Sequence, residues 1–222
     1  MSTASTGGGL ERFQLAQAYR ETAQTGVLAR YWKRRWHRSA EMANWLSQEE
    51  LPALSEQRAL ALYRASGGGK ANQFIANGLA DIGETMDFLL YDNITLEARF
   101  NECVAEDGAY KLPAAGKEFI SYLLCLKQPA LFAVYNRAAE RALRCLGRYP
   151  VSMRAGHLGL RYLDLLDAAH RLRPAFGLAD FREVDEFFYF LTRRGAASSP
   201  TPGRAASTVV GNSVQTNGNI AR

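Results

Sequence analysis

Between residues 10 and 194 the apolar positions recur at intervals of three and four, the period of amphipathic helices. Leu10, Phe13, Leu15, Ala18 and Tyr19 open the pattern, and Leu28, Tyr31, Trp32 and Trp36 continue it. Ser47 with Glu50 forms a capping box that predicts a short helix with Pro52 in its first turns. Ser55 is placed to cap the next helix, which carries Leu60, Leu62 and Tyr63. The glycines of SGGGK (66–70) then break the chain.

A further helix is predicted from Asn72 to Tyr91, buried through Phe74, Ile75, Leu79, Ile82, Met86, Phe88 and Leu89. Thr95 caps another, with Leu96, Phe100 and Val104. Four more follow at about 117–127, 136–147, 157–171 and 180–194 by the same periodicity. Pro129, Pro150 and Pro174 fall in the connections, where a missing N–H costs nothing. No run alternates as a strand does, and no repeat is present. The pattern predicts a single all-α domain over residues 10–194. Residues 1–9 and 195–222 are small and polar, hold too few large apolar side chains for a core, and are expected to be disordered tails.

Composition changes this picture little. Of 222 residues, 47% are hydrophobic and 22% charged, enough for one substantial core. The net charge of +5 permits a nucleic-acid or anionic partner without requiring one. Cys103, Cys125 and Cys145 show no CxxC spacing and imply reduced thiols. The N-terminus has no apolar signal core, and no run approaches the ~20 residues of a membrane span. A soluble, cytoplasmic protein without a membrane partner is expected.

Few stretches carry chemistry. RYWKRRWHR (30–38) is the densest basic run. Lys33, Arg34, Arg35 and Arg38 would meet phosphates and an exposed tryptophan would stack on a base, if the helix faces a nucleic acid. The alternative is an amphipathic helix with core tryptophans and cations that are solvated or paired with Glu41 and Glu49. SGGGK lacks the spacing and preceding strand of a phosphate loop, so no nucleotide cofactor is expected. Asp164, Asp167 and His170 share a helical face and define a weaker alternative, a metal-dependent nuclease, although the arginines around them favour surface ion pairs. No serine or cysteine is paired with a histidine in the manner of a nucleophile.

The turn Leu112-Pro113-Ala114-Ala115-Gly116 precedes the strongly helical KEFISYLLCL. With the following PALFAVYNRAAERALRCLG it resembles the helix-hairpin-helix segment of the DNA glycosylase and endonuclease superfamily. That resemblance implies a phosphate cradle at Gly116 and the amides opening the next helix, with Lys117, Asn136 and Arg137 beside it. Where the enzymes of that superfamily use a lysine and an aspartate, this chain has Glu118 and Asn136, so base-excision chemistry is not expected. An inserted AEDGAYK departs from the hairpin spacing, and a plain packing corner is the competing reading.

A broader stretch, about 85–192, resembles helical domains attached to prokaryotic restriction and defence proteins of McrB-like systems. The resemblance runs through YKL, GKEF, ERAL, YLDLL and VDEFFYFL. It implies a non-enzymatic unit binding DNA or RNA, or an adaptor, in defence or genome maintenance. The rival is a protein-interaction scaffold recruiting an effector through its tail or its aromatic C-terminal helix.

Overall fold

The computed structural model describes residues 7–23, 25–151 and 157–198. Its elements are α1 (Gly7–Thr22), α2 (Gly26–Arg35), α3 (Ser39–Trp45), a 3₁₀ turn (Leu51–Ala53), α4 (Glu56–Ala65), α5 (Ala71–Ile75) and α6 (Leu79–Tyr91). They continue with α7 (Leu96–Val104), α8 (Lys117–Lys127), α9 (Arg137–Cys145), α10 (Leu158–Ala175) and α11 (Phe181–Ser198). No strand occurs among the described residues. The all-α class read from periodicity is the class of the structure. The first and last helices begin and end inside the stretches read as tails; residues 1–6 and 199–222 lie outside the described residues.

The centre of the domain is α8. Every residue from Phe119 to Leu126 is buried, as a helix apolar on all sides must be. It is packed by α3, α6 and α7, while α9 and α2 lie on α11, and α10 lies on α7. At the α10–α7 crossing a Cβ on Gly159 would stand 1.9 Å from the Glu97 carbonyl oxygen, so only glycine lets these backbones approach so closely. The hydroxyl of Ser121 donates to Lys117 O and accepts from Tyr135 N. It thereby ties α8 to the extended connection that leads into α9.

Several boundaries differ from the periodic reading, each for a local reason. The helix predicted from Asn72 to Tyr91 is two helices, because Gly78 at φ +87° turns the chain between α5 and α6. The segment from Leu10 to Trp36 is likewise broken between α1 and α2. Ser47 accepts from Glu50 N as a capping box requires, but only turns and the 3₁₀ segment with Pro52 follow. Ser55 does cap α4, accepting from Arg58 N. Pro174 lies in the last turn of α10 rather than in the connection after it.

Among the described residues, no helix is long and apolar enough to cross a membrane. The aromatic run of α11 is core: Phe187, Phe188 and Phe190 are buried, and Tyr189 stacks on Tyr31 with centroids 4.0 Å apart.

Candidate nucleic-acid interface

The turn at 112–116 is clamped to its neighbours. Tyr63 of α4 donates its hydroxyl to Ala114 O at 3.0 Å, and Asn77 donates to Pro113 O at 3.1 Å. Leu112 and Ala115 are buried, and Ala114 adopts φ +69°, a conformation that a Cβ disfavours. These contacts are those of a packed corner. Gly116 is exposed at the N-cap of α8 without a side-chain cap. Next to it the Lys117 ammonium pairs with Glu140 of α9 and lies 3.9 Å from the Tyr135 ring centroid.

Two residues read as contacts are interior. Arg35, the last residue of α2, is 1% exposed, and its Nε stands 3.0 Å from Asp185 Oδ2. Its Nη1 donates to Glu118 Oε1 at 3.0 Å and to Ser66 O at 2.7 Å. The rings of Tyr31, Trp36 and Tyr122 lie 5.3 to 5.7 Å from the guanidinium carbon, which offsets the Nε and Nη2 groups, neither of which makes a hydrogen bond. Burial works to discharge this group, but Asp185, then Tyr31 and Glu118, outweigh it and hold the cation firmly protonated. Arg35 is therefore a core cation and does not reach a phosphate.

Asn136 is also buried. Its Oδ1 caps α9 by accepting from Ala139 N at 2.9 Å, and its Nδ2 donates to Asp185 Oδ1 at 3.1 Å. Asp185 thus accepts from Tyr31, Trp36 and Asn136 while facing Arg35. In this way one carboxylate of α11 joins α2 to the start of α9. Asn136 positions the helix that carries Arg137 and is not itself a contact.

Of the contacts expected on α2, Lys33 and Arg34 are exposed, with Arg34 over the Tyr31 ring. Arg38 is exposed but bound through Nε and Nη2 to Glu41, each at 2.7 Å. Trp36 is buried and Trp32 half-buried, so the core reading holds outright for Trp36.

A further basic surface lies on α9. Arg137, Arg141 and Arg144 are all exposed and fall within roughly 60° of one another at 3.6 residues per turn. Ala139, Ala142 and Leu143 bury the opposite face. Arg144 is shared with Glu140 at 3.7 Å and its guanidinium covers the Tyr149 ring at 4.1 Å. Arg137 and Arg141 carry no ion pair among the described residues, and exposed Arg148 follows the helix end. Of this row the sequence reading singles out Arg137 alone. The spacing Arg-x3-Arg-x2-Arg-x3-Arg in RAAERALRCLGR is the signal that contains the rest.

The carboxylates of α10 are not gathered. Asp167 pairs with Arg171, while His170 Nε2 lies 2.9 Å from Leu131 O and its ring meets Phe181 edge-on. Among the described residues no three His, Cys, Asp or Glu side chains are grouped to hold a metal ion. Cys103 and Cys125 are buried; burial pushes the Cys103 thiol up to about 12 and raises that of Cys125 as well. No known protein family, curated protein or solved structure matches the chain.

Proposed function

We propose that this protein is a non-catalytic nucleic-acid-binding unit whose contact surface is the arginine face of α9. The observation that carries the proposal is the row Arg137, Arg141 and Arg144 on one exposed side of a helix whose other side is core. Guanidinium groups at successive turns meet a phosphate backbone through charge-assisted, bidentate hydrogen bonds. Lys33 and Arg34 supply a second exposed cationic patch on α2, which like α9 lies against α11. Service in prokaryotic defence or genome maintenance, in the cytoplasm and with a further effector protein, belongs to the same proposal. It rests on the resemblance over residues 85–192.

Fluorescence anisotropy with labelled single-stranded DNA, duplex DNA and RNA at two salt concentrations tests this reading. Salt-sensitive binding lost in an Arg141→Glu, Arg144→Glu double variant supports it. Equal binding by that variant and by the native chain, or no binding by either at low salt, overturns it.

A further inference from the structure

The arginine row of α9 leads into a cavity. After the helix end Arg148 stands at the rim of a groove of about 780 Å³, formed by α1, the connection after α9, and α10. That volume lies inside the roughly 300–1,000 Å³ range of small-ligand sites. The floor is apolar, made by buried Leu172 of α10 and Phe176 just after it, and half-buried Leu146 forms a wall. Arg12 of α1 faces the groove together with Arg148, and neither has an ion pair among the described residues. The charge of Arg171, which also lines it, is matched by Asp167.

An apolar floor under guanidinium groups that have no ion pair among the described residues has the chemistry of a nucleotide, a flat ring of low polarity joined to an anion. The groove is also continuous with the phosphate-binding face proposed above. Arg144, the last arginine of α9, lies over Tyr149, and Tyr149 is itself part of the groove lining. A small free anion would have no use for Arg137 and Arg141 farther along the helix, whereas a strand engages the whole row.

We propose that the groove receives one unstacked base of a single-stranded nucleic acid, with Arg148 and Arg12 on its flanking phosphates. This rests on the reading of α9 as a nucleic-acid surface and adds the class of strand. Bases inside a duplex are stacked and cannot enter, so the protein is a single-strand binder that tolerates duplex only through the arginine row.

The test compares a labelled oligothymidylate, the same strand with abasic residues, and a blunt duplex, on the full chain and on Ala175→Trp. Ala175 is an exposed groove residue at the end of α10, so a tryptophan there fills the cavity from outside. The expected result is about tenfold weaker binding of the abasic strand than of oligothymidylate, in line with the contribution of a single held base. Ala175→Trp should show a similar loss for oligothymidylate and none for duplex. Equal affinity of the native chain for the intact and abasic strands overturns the proposal without any variant. If the Arg141→Glu, Arg144→Glu pair still weakens both strands in that case, the nucleic-acid reading stands and only the groove is lost. Absence of binding to all three probes removes both.

Discussion

Arg35 Nε and Asp185 Oδ2 stand 3.0 Å apart with side chains 1% and 2% exposed. This buried pair fastens the end of α2 to α11. Asp185 also accepts from the Tyr31 hydroxyl at 2.8 Å, the Trp36 indole at 3.2 Å and Asn136 Nδ2 at 3.1 Å. Removing the carboxylate alone leaves a buried cation and three donors without their acceptor. Asp185→Ala should therefore lose about 3–5 kcal/mol of stability, measured by urea unfolding. A double variant, Arg35→Met with Asp185→Leu, should be less destabilised than Asp185→Ala alone. Additive losses from the two sites would mean that the pair is not the unit described.

Glu186, the next residue, gives a pH dependence of known sign. Its Oε2 accepts from the Tyr19 hydroxyl at 2.7 Å, while its Oε1 is buried without a partner. Burial raises its pKa above the ordinary 4.5, and nearby Glu183 and Asp185 add to the rise against the Tyr19 hydrogen bond. A carboxyl with a raised folded pKa favours the fold below its unfolded pKa, and that contribution is lost as pH rises through the folded value. Glu186→Gln has no such titration. Its stability relative to the native chain should rise from about pH 4 to pH 7, read as the difference in Tm, given an unfolded glutamate near 4.3. A difference that stays flat across that range would show the carboxylate to be solvated.

Ala114 provides a backbone test of the corner. At φ +69° it carries the strain of a left-handed alanine, about 1–2 kcal/mol. Glycine relieves this and loses roughly 0.4–1 kcal/mol through the freer unfolded chain. Ala114→Gly should thus be neutral to stabilising by about 1 kcal/mol on these terms. Ala142→Gly, in the buried interior of α9, should cost about 1 kcal/mol or more. Equal losses in chemical denaturation would contradict the conformation at 114.

For nucleic-acid binding the salt dependence is the discriminating measurement. Each phosphate contact contributes about 0.9 to the slope of log K against log salt on duplex DNA, and about 0.7 on single strands. Arg141→Ala with Arg144→Ala should flatten the single-strand slope by about 1.4. Arg64→Ala, an exposed arginine on α4, should leave the slope unchanged.

The fold class was legible because helical periodicity needs only local spacing, and α8 stood out as apolar on every side. The breaks at residues 23–26 and at Gly78 were less visible, since apolar spacing continues across both. Reading the site was harder. In RYWKRRWHR the arginine that ends in the core looks the same as its exposed neighbours, because only the distant Asp185 and Glu118 distinguish Arg35 from Arg34. Asn136 likewise has the composition of a surface group, and its bonds to Ala139 of α9 and Asp185 of α11 distinguish it. Conversely, the arginine face of α9 is written in plain helical spacing, with Arg137, Arg141 and Arg144 at i, i+4 and i+7.

The tie between α2 and α11 also has a consequence in time. In sequence, 149 residues separate Trp36 from Asp185. At the roughly 5–20 residues per second of protein synthesis, a ribosome that has just made α2 needs about 7–30 s to reach the carboxylate. Through that interval Arg35 has no Asp185 to meet, although α3, α6 and α7, which pack on α8, are made before it. The two halves of the chain are therefore poor candidates for separate expression. The newborn N-terminal half must stay hydrated, or be sheltered by a chaperone, until the last helix arrives.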